Sequence, residues 1–371
     1  VSDWISDVCS SDLNGHPEPY GVKYWEVGNE IFGPWQIGHC TAEEYAARYV
    51  RFARAMKAAD PGIRLLACGD TRNEWNEPLL ELAGEYMDYL TIHLYHGYRF
   101  LGMNLNTPRE ERFYAMATYA ERTREIVMRT AELIRARDRH RHVKLAFTEY
   151  NTMYYPNTMR KGHPMEHTLE AAMVNAANLN EFIRNCGEVQ ICNFSNLVNG
   201  WLGGCIRVGD YYADQYRGKV RGWSGRPLTV YGTPTYYVLQ LYANRDIAHV
   251  VRTDVECGAF SLDMSYGKLR LEGLPKLDVV ACVNETRTKL TVFAVNRSLE
   301  NVTAQFVLTG APFGRKARVY EITGEHIDSI NSVFDPEKIK IVSRDLHAEN
   351  DGWICELRAS SIYALEFDLI S

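Results

Sequence analysis

Two glutamates stand where carboxylate chemistry is expected. Glu30 closes the segment VKYWEVGNE at 22–30, and Glu149 lies in VKLAFTEYN at 143–151. Each segment is an apolar, aromatic-rich run of strand length, where an unpaired buried carboxylate would be strongly unfavourable. Two carboxylates delivered by different strands to one end of a sheet are the pair that glycoside hydrolysis uses. The two segments therefore predict a glycosidase centre.

Strands and helices alternate in the first part of the chain, from residue 22 to about residue 200. Apolar runs predict strands at 22–28, 63–69, 89–95, 143–150 and 189–196. Such alternation is typical of βαβ units around a parallel sheet that is buried on both faces. The interval between the two glutamates fits three βα units of about 40 residues each, as in a (β/α)8 TIM barrel. In such barrels functional residues lie at the carboxyl ends of strands, as both glutamates would.

Helical patterns fill the intervals between these strands. The first, at 41–60, opens with Thr41 and Glu44, which form the sequence pattern of a capping box. Further helices are predicted at 109–139 and 168–185.

The pattern changes near residue 245, after a last helical stretch at 233–244. Short strands separated by turn residues follow, at 276–285, 289–298, 303–310, 316–323 and 360–368. This spacing predicts an all-β sandwich. We therefore expect a catalytic barrel part at 14–245 and a jelly-roll-like β-sandwich at 246–371.

Several residues beside the glutamates are candidates for supporting roles. Asn29 precedes Glu30 directly, so for both to serve one site the strand end must turn or bulge, which Gly28 makes easy. His93 and Tyr95 are two residues apart and therefore share one face of a strand. A phenol at Tyr95 would hydrogen-bond a nucleophilic carboxylate, whereas His93 fits a core histidine equally well.

Other polar and aromatic residues near the strand ends are weaker candidates. Asp70 is a third acidic candidate, for which a helix cap or a loop salt bridge is the favoured interpretation. Aromatic residues after the strand ends are candidate platforms for sugar rings: Trp35, Trp75, Tyr154, Tyr155 and Trp201.

Composition excludes several function classes. A net charge of −6 with both signs interspersed argues against nucleic acid as a partner. Nine irregularly spaced cysteines form no disulfide framework, which fits a reducing compartment such as the cytoplasm. There is no CxxC pair, so a zinc site is not expected, and no apolar run is long enough to span a membrane.

The motifs are specific enough to resemble a known family. Residues 15–46, with GNE followed by GPWQIG, resemble the acid/base region of family 51 glycoside hydrolases, the α-L-arabinofuranosidases. FTEYN at 147–151 resembles that family's nucleophile strand, which usually reads Glu-Trp-Asn, and HLY at 93–95 matches its His-x-Tyr. The segment 324–340 resembles part of the family's β-sandwich.

The resemblance implies roles for individual residues. Glu30 would be the acid/base, Glu149 the nucleophile, Tyr95 the nucleophile's partner and Asn29 the donor to the sugar 2-hydroxyl. Asn196 takes the place of a glutamine that usually contacts the sugar, and His93 belongs to the same sugar-binding set. No metal or cofactor is implied.

The resemblance also implies a retaining enzyme that removes terminal arabinofuranosyl groups from arabinan or arabinoxylan. Its expected partners are arabinose-containing glycans and, in the full-length protein, further copies of itself, with no nucleic acid and no membrane. Two alternatives stay open: another retaining barrel glycosidase, such as an endoglucanase or a xylosidase-like enzyme, and an inactive fragment or non-catalytic sugar-binding protein.

The start of the chain departs from the family pattern. The acid/base glutamate of this family lies on the fourth barrel strand, so three strands should precede residue 22. We expect that residues 1–13 are a foreign or artefactual tail and that the rest is N-terminally truncated. Because a barrel with open edges exposes backbone and apolar surface, we expect the 371-residue chain alone to be poorly soluble and nearly inactive.

Overall fold

The protein is described by a computed structural model. The described residues are 15, 18–104, 106–137, 142–154, 165–199, 204–208, 213–214, 219–220, 229–263, 270–349 and 352–370. The expected foreign tail at 1–13 lies outside them. The chain divides into two compact units, one of residues 1–92 with 130–146 and the other of residues 93–129 with 147–371.

Five strands form one sheet in chain order, which confirms the alternation expected from the sequence. They are β1 (Tyr24–Val27), β2 (Arg64–Ala67), β3 (Tyr89–His96), β4 (Lys144–Thr152) and β5 (Val189–Phe194). The helices are α1 (Ala42–Ala59), α2 (Asn73–Ala83), α3 (Arg109–Ala117), α4 (Tyr119–Arg137), α5 (Leu169–Arg184) and α6 (Pro234–Ala243). The pairings of β1 with β2 and of β2 with β3 are parallel.

In the first unit, residues at and near the start of α1 determine where this helix begins and how it contacts the strands. The predicted capping box is present at the start of α1, where Thr41 and Glu44 bond each other's backbone N–H groups. Tyr45, one turn into the helix, accepts a hydrogen bond from the Cys68 N–H at 2.8 Å and donates to the Val27 carbonyl. One phenol therefore ties together the ends of β1 and β2.

The edge of the sheet at β1 carries exposed aromatic residues. Tyr24 is 56% exposed and Trp25 is 45% exposed, and β1 is the first strand in the sheet order. An uncovered strand edge with apolar side chains favours association with other chains. The expectation of poor solubility, which came from open sheet edges, stays a prediction.

The single helix expected at 109–139 is two helices, α3 and α4. The chain breaks at Thr118, whose hydroxyl donates to the Ala115 carbonyl at 2.7 Å. A threonine side chain that bonds the preceding turn competes with the regular backbone ladder. The periodic pattern of apolar residues in the sequence does not predict such a break.

Helix α5 is buried along almost its whole length and contacts β5 and strands of the β-rich part that follows. Asn180 donates to an Asp278 oxygen at 2.9 Å, and Arg184 pairs with the other oxygen of the same carboxylate. The Tyr242 ring of α6 stacks on Phe293 with centroids 4.1 Å apart. The buried side chains of Asn180 and Asp278 are therefore paired with each other, as burial requires.

The C-terminal part is β-rich, as predicted. Its strands are β10 (His249–Val251), β11 (Ala259–Asp263), β12 (Arg270–Pro275), β13 (Leu277–Val283), β14 (Lys289–Asn296), β15 (Val302–Phe306), β16 (Phe313–Ile322), β17 (Val342–His347), β18 (Trp353–Leu357) and β19 (Ser361–Leu369). Before them lie β6 (Ile206–Val208), β7 (Ala213–Asp214), β8 (Lys219–Val220) and β9 (Val230–Gly232).

Two sheets of this part share a core. A six-stranded antiparallel sheet has the order β10-β13-β14-β19-β16-β17, and β15 pairs with β18. Trp353 of β18 packs edge-on against Phe367 of β19 with ring centroids 5.0 Å apart. Alternate residues of both sheets are buried in one cluster, which is the packing of a sandwich.

Among the described residues, the buried Glu166 carboxyl group of the second unit has no charged partner. Burial raises the pKa of Glu166 to about 7. The Tyr154 N–H donates to one oxygen of Glu166 at 3.3 Å, and among the described residues the other oxygen has no hydrogen-bond partner. The buried site therefore favours the protonated, neutral form of Glu166.

Replacing Glu166 by glutamine is expected to stabilise the protein at pH 8 and to have little effect near pH 4.5. The folded-state pKa lies above the unfolded one, so the parent loses stability as pH rises from about 4.5 to about 7. Glutamine cannot ionise and escapes this loss, which amounts to roughly 3 kcal/mol at most. Denaturant unfolding of both proteins at several pH values measures the difference, with the exposed Glu285→Gln as control. Parallel pH profiles for parent and Glu166→Gln would contradict the assignment.

No helix in the described ranges combines the length and the apolarity that crossing a bilayer requires. The eight cysteines that lie in those ranges are free thiols. The sequence-based expectation that the cysteines form no disulfide framework is therefore confirmed for these eight.

Candidate active site

The backbone turns sharply at the end of β1, as the position of Asn29 and Glu30 required. Gly28 has a φ of 91° and Glu30 a φ of 47°. A Cβ at residue 28 would lie 2.8 Å from the Ile31 Cγ1 atom, so glycine is required there for space as well as for conformation. A non-glycine residue at positive φ is uncommon, and such strained positions cluster at functional sites.

Trp35 holds the Glu30 carboxylate. Its indole Nε1–H donates to the Glu30 Oε2 atom at 2.7 Å, and the ring is 65% exposed. A Cβ on Gly33 would lie 2.4 Å from the indole, so the Gly-Pro-Trp sequence lets the ring fold back over the turn. The sequence predicted Trp35 as a stacking platform for a sugar ring, and its hydrogen bond to Glu30 was not predicted. The spacing of Gly33 and Trp35 is the feature of the sequence that could have indicated this bond.

In the second unit, Glu149 lies in β4 and is contacted by two side chains of β3. The Tyr95 hydroxyl donates to the Glu149 Oε2 atom, and the His93 Nδ1 atom lies 3.6 Å from the same oxygen. Tyr95 and His93 therefore share one face of β3, as their spacing predicted. The Glu149 side chain is 28% exposed, so it is both held and accessible.

The His93 side chain is 6% exposed and contacts neighbouring residues of β4. Its Nε2 atom lies 3.1 Å from the Thr148 hydroxyl, while Nδ1 faces Glu149. Because each ring nitrogen faces a polar group, the imidazole orientation is set on both sides. His93 thus combines the two interpretations left open by the sequence: a satisfied buried histidine that also faces the carboxylate.

Tyr95 has a second partner that the sequence analysis did not single out. The Ser195 Oγ atom lies 2.9 Å from the Tyr95 hydroxyl. Ser195 directly follows β5 and is buried. Its distance of 100 residues from Tyr95 in sequence left no local signal.

The remaining candidates occupy different surroundings. Asn29 is exposed in the turn before Glu30, and Asn196 is half-buried directly after Ser195. Asp70 is buried and pairs with Arg72 at 2.5 Å, which makes it a loop ion pair, the interpretation favoured from the sequence.

Two of the proposed sugar platforms are wrong. Trp75 is buried and donates to the Cys68 carbonyl at 2.9 Å, and Tyr154 is fully buried against Tyr98. Both rings are buried in the protein interior, as large aromatic residues commonly are. Tyr155 and Trp201 lie outside the described residues.

Each unit thus presents a carboxylate with a neutral donor. Glu30 accepts from an indole, and Glu149 accepts from a phenol with an imidazole close by. A partly exposed carboxylate oriented by hydrogen bonds is suited to nucleophilic attack or to proton transfer. Glu30 follows the end of β1 at Val27, whereas Glu149 lies within β4, before its end at Thr152.

Sequence comparison links the chain to enzymes of known name. A family model described as "Alpha-L-arabinofuranosidase C-terminal domain" matches residues 148–361, and one described as "Alpha-L-arabinofuranosidase 1 domain" matches residues 10–121. The "Intracellular exo-alpha-(1->5)-L-arabinofuranosidase 1" of Bacillus subtilis is 27% identical over 328 residues, which are 81% of this chain and 58% of that protein. The chain therefore spans less than two thirds of that relative.

A second relative and a solved structure agree with this similarity. The "Intracellular exo-alpha-(1->5)-L-arabinofuranosidase" of Acetivibrio thermocellus is 26% identical and matches 94% of this chain and 70% of its own length. The family 51 α-L-arabinofuranosidase of Thermotoga petrophila superposes with a TM-score of 0.77 at 26% identity, covering 97% of this chain and 70% of that one. The fold is that of these structures, a TIM barrel followed by a sandwich, of which this chain carries five parallel strands.

Proposed function

Because this chain belongs to the family 51 α-L-arabinofuranosidases, we propose that it removes terminal α-L-arabinofuranosyl groups with retention of anomeric configuration. The observation that carries the proposal is the family match over residues 148–361, which contains the Glu149 segment. The phenol that holds Glu149 supports it, because a retaining nucleophile must be fixed before it attacks.

The proposed mechanism has two displacements. In the first, a Glu149 oxygen bonds to the anomeric carbon while the bond to the leaving oxygen breaks, and Glu30 gives that oxygen a proton. In the second, Glu30 takes a proton from water, whose oxygen replaces Glu149 at the same carbon. Glu149 leaves as a carboxylate, and arabinose is released with its original configuration.

Four side chains would bind the sugar or orient the nucleophile. Tyr95 donates to Glu149, and we assign Asn29 as the donor to the sugar 2-hydroxyl, an interaction that strengthens in the transition state. Asn196 would reach the sugar from the segment after β5, with a shorter amide than the glutamine usual in the family. His93 would limit the rotation of Glu149.

The substrate class is an arabinose-containing oligosaccharide or polysaccharide. Two relatives bear names that specify exo action on α-(1→5) linkages, so we propose linear arabinan or arabino-oligosaccharides before arabinoxylan side chains. The same names include the word intracellular, which supports a cytoplasmic location. We further propose that the full-length protein is a homo-oligomer, with a catalytic barrel part at 14–245 and a sandwich at 246–371.

Arabinose release and product configuration test the function. The protein, expressed from its complete reading frame, is incubated with α-(1→5)-arabino-oligosaccharides, and the first product anomer is identified by proton NMR. We expect free arabinose of retained configuration. Turnover of xylo- or cello-oligosaccharides in its place would favour another retaining barrel glycosidase. Binding of glycans without hydrolysis of any would favour a sugar-binding protein.

A further inference from the structure

We propose that Ser195 is a positioning residue for the nucleophile, acting on Glu149 through the Tyr95 hydroxyl. The inference rests on the proposed retaining hydrolysis. It extends that function to a residue that makes no contact with Glu149 itself among the contacts described above.

The direction of the hydrogen bonds follows from the chemistry of the groups. The Tyr95 oxygen contacts both a Glu149 oxygen and, at 2.9 Å, the Ser195 Oγ atom. An ionised carboxylate only accepts hydrogen bonds, so the single phenol proton goes to Glu149. The Ser195 hydroxyl then donates to the Tyr95 oxygen. The three side chains form a chain that ends on the nucleophile.

The same strand that carries the nucleophile holds Ser195. The Ser195 N–H donates to the Tyr150 carbonyl at 3.2 Å, and the Asn151 amide donates to the Ser195 carbonyl at 2.6 Å. Asn151 is 2% exposed, and its own oxygen accepts from the Thr152 N–H at 2.7 Å. Residues that follow Glu149 therefore fix the backbone of Ser195 on both sides.

Burial increases the effect of this chain of hydrogen bonds. Ser195 is 6% exposed, and bonds in series polarise one another more strongly away from water. Donation from Ser195 makes the Tyr95 hydroxyl a better donor to Glu149. This matters most when Glu149 departs from the sugar and regains its negative charge, which is the second displacement.

The expected result is a separation of kcat from kcat/KM. For Ser195→Ala, kcat should fall about three- to tenfold, because one hydrogen bond in the chain is lost. KM should fall with it as glycosyl-enzyme accumulates, so kcat/KM changes less than about twofold. A burst of nitrophenol from nitrophenyl arabinofuranoside should appear before the steady state.

A double-mutant cycle tests whether Ser195 acts through Tyr95. The four proteins are the parent, Ser195→Ala, Tyr95→Phe and the double variant, each expressed from the complete reading frame. In the phenylalanine background there is no hydroxyl to polarise, so removing the Ser195 hydroxyl should cause no further loss of kcat. Additive losses would overturn the inference, and so would equal losses of kcat and kcat/KM in Ser195→Ala.

A matched control separates positioning from general destabilisation. Ser298→Ala removes another buried hydroxyl, which bonds Asn296 at 2.9 Å in the sandwich. It should lower stability without the burst or the change in kcat. Ser195→Thr keeps the hydroxyl and should restore most of kcat, and an equal loss in Ser195→Thr and Ser195→Ala would contradict the role. If the parent releases no arabinose, the proposed function fails first; if the parent is active and the losses add, only this inference fails.

Discussion

Replacing Glu149 by alanine is expected to lower kcat on nitrophenyl arabinofuranoside by roughly 10⁴-fold or more while the protein still folds. Without the carboxylate no covalent glycosyl-enzyme forms. The remaining route is direct attack by water on the anomeric carbon, in a site arranged for two successive displacements. The effect should be nearly independent of the leaving group. Steady-state kinetics and thermal unfolding of the two proteins measure activity and folding separately.

The control for this substitution is an exposed glutamate of the same unit. Glu285 is 81% exposed and pairs with the surface His249, so Glu285→Ala should leave kcat unchanged. The product configuration and the distance between the two carboxyl groups provide further checks. A retaining pair requires carboxyl groups about 5–5.5 Å apart. Release of arabinose with inverted configuration by the parent would contradict the nucleophile assignment.

Replacing Glu30 by alanine is expected to have an effect that depends on the leaving group. A sugar alkoxide is a poor leaving group and needs the proton, so hydrolysis of arabino-oligosaccharides should fall about 10²–10⁴-fold. Nitrophenolate leaves with little protonation, so kcat/KM for nitrophenyl arabinofuranoside should fall less than about tenfold. Comparing kcat/KM across aryl arabinofuranosides of graded leaving-group acidity measures this dependence.

Azide distinguishes a lost acid/base from a damaged site. It attacks without a general base, so it should accelerate the second displacement in Glu30→Ala and yield an arabinosyl azide of retained configuration. The exposed Glu74 lies in the same unit, and Glu74→Ala should neither lose activity nor respond to azide. Equal losses on natural and activated substrates in Glu30→Ala would refute the acid/base role.

Local structural features could be predicted from the sequence, because they depend on residues that are neighbours along the chain. The capping box of Thr41 and Glu44, the turn allowed by Gly28, and the shared face of His93 and Tyr95 all follow from helix and strand geometry. The alternation of strands and helices likewise depends on short-range apolar patterns. These features placed Glu30 just after β1, as the structure has it, whereas Glu149, expected at a strand end, lies within β4.

Tertiary structure alone decided which distant groups meet. Ser195 contacts Tyr95 across 100 residues of sequence, and Trp75 and Tyr154 are core residues although they follow strand ends as Trp35 does. Such outcomes depend on how whole elements pack, and no periodicity within one segment encodes the partner on another. The sequence by itself therefore indicated the family and predicted the two carboxylates as its catalytic pair, whereas the hydrogen bonds that orient Glu149 depend on where the end of β5 packs against β4.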